Sequence, residues 1–162
     1  MEVKVKGKTL NEDLQVLKYN IFSLAPIILS FYKECCTKQD NVLLSYIIIP
    51  LIYSRKWADI LLSIQKRSNL VHWIKENKVP VEGLSDRIHF FKNYTTSALQ
   101  YCFDMKWAFI DDNNNIILTD NKEWDIVQNI NMKSAVKINY LFKDMTVAQV
   151  YSSLGLDKIC LH

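Results

Sequence analysis

Residues 69–118 read NLVHWIKENKVPVEGLSDRIHFFKNYTTSALQYCFDMKWAFIDDNNNIIL, and the fold turns on this stretch. Leu84, Ile88, Phe91, Thr95, Ala98 and Cys102 recur every three or four residues, which draws one mostly apolar stripe along a long helix. His89, Asn93, Thr96 and Gln100 fall on the opposite side. After the helix, the β-prone runs Lys106-Trp107-Ala108-Phe109-Ile110 and Ile116-Ile117-Leu118 flank Asp111-Asp112-Asn113-Asn114-Asn115, residue types that tolerate positive φ. That pattern predicts a hairpin with a polar, solvated tip. Before the long helix, Ser68 or Asn69 caps a shorter one whose Leu70, Trp73 and Ile74 face inward and whose His72, Lys75 and Glu76 face out. Pro80 and Gly83 bound the turn between them. Helix, turn, long helix and hairpin in this order describe a winged-helix-like unit with the hairpin as its wing.

Outward from this unit the chain stays helical. Pro26 suits a first helical turn and displaces Ala25 from the α region, so a helix is expected from Pro26 to about Thr37, with Ile27, Ile28, Phe31, Tyr32 and Cys35 on its apolar face. Asp40 is placed to cap the run from Val42 to Ile49. That run is apolar nearly all round, and so becomes the candidate central helix, with a kink or an end just before Pro50. Trp57, Ile60, Leu61 and Ile64 continue at helical spacing. Beyond the hairpin, a helical region carries Trp124, Val127 and Ile130, a second runs through Ala135, Ile138, Leu141 and Phe142 to Lys143, and Thr146 caps a last one that stops at Gly155. Val3-Lys4-Val5 alternates like an edge strand, residues 11–18 suit a turn or short helix, and residues 156–162 read as a tail. The expected architecture is mainly α and a single domain over 1–162: an N-terminal extension (1–25), core helices (26–64), the winged-helix-like unit (69–118) and C-terminal helices (121–155).

Composition narrows function by exclusion. Twenty basic against seventeen acidic residues leave a net charge of +3, too little for a strong field toward nucleic acid or an anionic membrane. Three scattered glycines cannot build a phosphate-binding loop, which needs several for close backbone approach. Cys35 and Cys36 are adjacent, Cys102 lies in the helical stripe and Cys160 lies near the end of the sequence. No CxxC pair exists, so reduced thiols in a cytoplasmic protein are expected, and no metal site. The sequence starts without the apolar core of a secretory signal, and the greasiest window, Val42 to Tyr53, falls short of the roughly 20 residues that span a bilayer. His72, His89 and His162 have no nucleophile or carboxylate spaced to orient an imidazole. The aspartate and asparagine cluster of the hairpin lacks the glycine and distal glutamate of a calcium loop. Neither a catalytic residue nor a cofactor is expected.

Nucleic acid is the competing idea, because a winged helix can lay the helix before its wing in the major groove. The candidate contacts are Arg87 and Lys92 on that helix and Lys66 and Arg67 between two others. Asp86, Asp104 and the two aspartates of the wing tip oppose them. Tyr19, Phe22, Phe31, Tyr32, Trp57, Trp73, Trp107 and Trp124 are mostly core by periodicity, and some are candidate partner anchors.

Leu24-Ala25-Pro26-Ile27-Ile28, the run Leu43 to Ile49 ending in Pro50-Leu51, Asn69-Leu70-Val71-His72-Trp73-Ile74, the long helix, the wing and Val150-Tyr151-Ser152-Ser153-Leu154-Gly155-Leu156 together resemble the middle component of three-component ABC ATPase systems, a group that includes the Lamassu anti-phage and anti-plasmid systems. The resemblance covers roughly residues 20–157. Ala25-Pro26 stands where the family often has Asn-Pro, and Asn139 and Leu141 stand where it often has Gly and Trp. The resemblance implies a non-enzymatic adaptor that binds an SMC-like ABC ATPase through its winged-helix portion and holds an effector, frequently a nuclease. DNA would be contacted indirectly, through the complex. The alternative is a stand-alone winged-helix transcription regulator.

Overall fold

The computed structural model describes residues 14, 18–34, 39–77 and 81–158, and among them it is mainly helical with one two-stranded hairpin. The helices are α1 (Ile21–Tyr32), α2 (Ser45–Ile52), α3 (Arg55–Leu61), α4 (Leu70–Asn77), α5 (Leu84–Asp104), α6 (Ile130–Phe142) and α7 (Val147–Ser153). The hairpin pairs β1 (Ala108–Ile110) with β2 (Ile116–Leu118) antiparallel, Phe109 opposite Ile117. The expected strand at Val3-Lys4-Val5, most of the 11–18 segment, Cys35, Cys36, Pro80, Cys160 and His162 lie outside the described residues.

The hub of the core is α1, which packs against both α5 and α6 and is buried from Leu24 to Tyr32 except at Pro26. This corrects the expectation that the 42–49 run would be central. It also corrects the start at Pro26: Asn20 caps the helix, its Oδ1 accepting from the Phe22 N–H at 2.7 Å, and Pro26 lies inside. Proline lacks the donor that would reach Phe22, an exposed residue near the helix start, so one backbone bond is lost and the burial of the rest of the helix outweighs it. The helix also stops earlier than expected, at Tyr32.

The 42–49 run divides into a 3-10 turn, Asn41–Leu44, and α2, which continues through Pro50 instead of ending before it. Arg87 donates from Nε and Nη2, both at 3.2 Å, to the Pro50 carbonyl. Asp40 does not cap a helix; it sits in the left-handed region at φ 60° with no capping bond, because its carboxylate accepts from Asn114 Nδ2 at 2.9 Å.

In α3, Trp57 and Leu61 are buried, and Ile64 just beyond it is too. The carbonyls past that helix end are orphans by geometry. Lys137 Nζ answers Leu62 and Ile64 at 2.8 Å each, and Lys143 Nζ answers Lys66 at 2.6 Å, tying this connection to α6. Asn69 caps α4, as expected, through the Val71 and His72 N–H groups. The order α4, connection, α5, hairpin is the winged-helix-like one, yet α4 rests on α7 and sets Trp73 against Trp57, 5.3 Å between ring centroids.

Two expectations fail at the C-terminal side. No regular helix carries Trp124, Val127 and Ile130: Glu123–Asp125 is a 3-10 turn, Trp124 alone is buried, and Val127 and Ile130 are exposed. Asn129 caps α6 through the Met132 N–H, which fixes the helix start at Ile130. Leu156 is no tail residue, since it is buried and donates its N–H to the Tyr151 carbonyl. The capping box of Thr146 and Gln149 and the positive φ of Gly155 bound α7 as read from the sequence. Tyr151 Oη donates to the Leu43 carbonyl, which locks α7 to the 3-10 turn.

Candidate interaction surface

The long helix α5 has two apolar faces, and only one is core. Leu84, Ile88, Phe91, Thr95, Ala98 and Cys102 are buried as expected, joined by Leu99. On the outside, Phe90, Tyr94, Ser97 and Tyr101 form a second stripe at spacings of four, three and four. Phe90 is 47% exposed. The cap at Asn20 brings the start of α1 alongside, so that Phe22, 61% exposed, sets its ring 5.0 Å from that of Tyr101, edge to face. Tyr19 packs edge-on against Phe91 at 5.0 Å, Tyr53 at 5.3 Å, Tyr94 at 5.9 Å and Phe90 at 6.0 Å. These are the favoured geometries for aromatic quadrupoles, so the rings hold one another in place while their outer faces stay open.

Between the two helices lies a groove of about 560 Å³ whose lining among the described residues, including Tyr19, Phe22, Phe90, Asn93, Tyr94 and Ser97, carries no charge. A smaller groove of about 250 Å³ shares Tyr19 and Phe90 and reaches Asp86 and Arg87. Burial, and then the neighbouring Tyr19, push the Tyr53 phenol up, so it stays protonated under the groove. Lys18 lies 5.3 Å from the Tyr19 ring centroid, within cation–π range.

The wing tip is built differently. Asp111 accepts from the Asn113 and Asn115 N–H groups at 2.9 and 2.8 Å and from Asn115 Nδ2 at 3.3 Å. The Asn115 N–H bond, foremost, holds the Asp111 carboxyl below its usual range. The tip is exposed at Asp112, Asn113 and Asn114, as expected, and is clamped from behind as well: Asp40 N–H and Val42 N–H donate to the Asn113 and Asn114 carbonyls at 2.9 and 3.1 Å. Buried Asn41 accepts from the Ile116 N–H at 2.7 Å and donates to the side chain of buried Asn115 at 3.3 Å.

The four cations read as possible nucleic-acid contacts have separate surroundings. Arg87 is turned inward to Pro50. Five residues separate it from Lys92, about 140° around the helix, so the two do not share a face. Lys66 lies 5.8 Å from the Tyr140 ring centroid, and Arg67 lines a polar groove with Ser68, Asn69 and the His72–Glu76 pair, whose atoms approach to 2.9 Å. Cys102 is fully buried and its thiol is pushed up to about 12 by desolvation. Among the described residues no group of three or more His, Cys, Asp and Glu side chains could hold a metal ion. No described helix is long and apolar enough to cross a membrane. Of the aromatics, Phe31, Tyr32, Trp57, Trp73, Trp107 and Trp124 are core, whereas Phe22 is not. The outer stripe was missed by the sequence reading, although its spacing in 90–101 is visible once polar Asn93 and Thr96 are set aside.

Compared with known protein families, residues 10–158 match the ABC-three component (ABC-3C) system Middle Component 3. The chain belongs to that family. It is thus a component of an ABC-3C system, a conflict or defence type of system, and works with partner subunits of that system. Neither curated proteins nor solved structures gave a match.

Proposed function

We propose that this middle component is a non-enzymatic adaptor that links an SMC-like ABC ATPase to an effector, frequently a nuclease, in a Lamassu-type antiviral or anti-plasmid complex of the prokaryotic cytoplasm. Membership in the middle-component family carries the reading. The structure supports it physically, because a coupling subunit needs a stiff body with apolar surface to be gripped. The stiffness comes from α1 wedged between α5 and α6, from Lys137 and Lys143 tying down the 62–66 connection, and from the clamped wing tip. The grip is the open aromatic face, since large aromatic anchors dominate binding hot spots. A rigid piece that docks in two arrangements transmits a rearrangement of the ATPase to the effector, with DNA sensed by the ATPase.

The test is co-expression with the ATPase and effector encoded beside it, followed by affinity purification through this chain. Recovery of both partners at micromolar concentration, with the complex responding to a non-hydrolysable ATP analogue, is expected. If the chain elutes alone with and without nucleotide, the adaptor reading fails.

A further inference from the structure

Resting on the adaptor reading, we infer that the aromatic face of α5 receives an amphipathic helix of a partner subunit, with an apolar seam between basic ends. Three observations converge. At 100° per residue, Tyr94, Ser97, Tyr101, Asp86 and Asp104 all lie within about 40° of Phe90, so one face of α5 carries them together. From Phe90 to Asp104 the spacing along that face is four, three, four, three. That alternation keeps a seam facing a second helix in left-handed packing, and small Ser97 at mid-seam leaves room for a knob from the partner.

The second observation is charge. Among the described residues the groove is lined by uncharged ones, while the exposed acidic residues on this face of α5 toward its two ends are Asp86 and Asp104. Asp104 is exposed and accepts from Gln100 Nε2 at 2.8 Å. Of the nearby cations, Lys18 lies over the Tyr19 ring, Arg87 is directed to Pro50 and Lys106 lies beyond the helix. A complementary helix therefore has leucine-like residues in the middle and Lys or Arg at both ends. Eighteen residues separate the two aspartates, so that helix is about 27 Å long. The third is placement: Phe22 and Phe90 are large, exposed and already oriented by their ring neighbours, so a partner buries them without ordering them anew.

The probe is a pair of fluorescein-labelled synthetic helices of about 18 residues. They share one leucine seam, one with Lys/Arg and the other with Glu at both ends, and each is titrated with the full chain while anisotropy is read. The basic-ended helix should bind about fivefold more tightly, two partly exposed charge pairs supplying the difference. Asp86→Lys with Asp104→Lys should invert the preference, and Phe90→Asp should weaken binding about thirtyfold. Circular dichroism confirms that both variants are folded. Equal binding of the two helices, binding of neither, or an unaffected Phe90→Asp overturns the inference. So does a wild-type dimer that Phe90→Asp dissolves, for then a second copy fills the seam. If the wild-type chain and Phe90→Asp both recover the ATPase and the effector, the adaptor reading stands and the seam falls. If the wild type recovers no partner, the adaptor reading falls whatever the peptides do.

Discussion

The wing tip and the outer face of α5 invert what their residue types suggest. Asp111 to Asn115 is as polar as any stretch of the chain and keeps Asp112, Asn113 and Asn114 exposed, yet the Asn113 and Asn114 carbonyls and the Asn114 and Asn115 side chains are bound to Asp40, Asn41 and Val42. Phe22, Phe90 and Tyr94 are as apolar as the core, yet they line an open groove. A loop that must satisfy every buried N–H and C=O is committed to the fold and has little left for a partner. A face of rings already braced by one another is the reverse: its desolvation remains available to whatever covers it.

Neighbouring phenylalanines give the sharpest handle on this contrast. Phe91 is 3% exposed, while Phe90 is 47% exposed and only 4.9 Å away between centroids. Phe91→Ala should cost about 3–5 kcal/mol in urea denaturation, as a buried aromatic leaving a cavity does. Similar costs at both positions would mean that the outer stripe is core after all. Next in size, Asn41→Ala removes the acceptor of the buried Ile116 N–H and should cost about 1–3 kcal/mol. A loss below about 0.5 kcal/mol, the range of surface substitutions, would show that the tip is not held by this network. Phe90→Ala should change stability by less than about 1 kcal/mol, with its effect reserved for binding.

Smaller effects follow from the displaced titrations of Asp111 and Cys102. Because the folded state lowers the Asp111 carboxyl, its contribution to stability is present above the ordinary carboxylate range and is lost as pH falls through the lowered value. Asp111→Asn should flatten the acid limb of a stability-against-pH profile, and an unchanged limb would remove the carboxylate from the clamp. The Cys102 thiol, pushed up to about 12, stays protonated near neutrality. In a chain with Cys35, Cys36 and Cys160 changed to serine, a thiol reagent should label nothing until denaturant is added. Prompt labelling would show that the inner face of α5 opens.

Much of this fold was legible. The inner stripe of α5, the hairpin, the Asn69 cap and the Thr146 cap follow from local patterns that tertiary packing only reinforced. The proline rules misled at Pro26 and, for a helix end, at Pro50, because the burial of α1 and α2 outweighs the one backbone bond each proline removes, and that packing is not visible within a few residues. The clamp escaped notice because it joins residues more than seventy positions apart, and a run of Asp and Asn looks the same whether water or another loop answers it. The outer aromatic stripe escaped for the opposite reason: periodicity reports that a face is apolar but not whether anything covers it.

Covalent side-chain footprinting of the chain alone and in its complex tests the central claim most directly. Loss of labelling at Phe22, Phe90 and Tyr94 on partner association, with Phe109 and Ile110 on the hairpin labelled as before, is the predicted result. Protection of the hairpin or of Val127 while the aromatic groove stays fully labelled would contradict it.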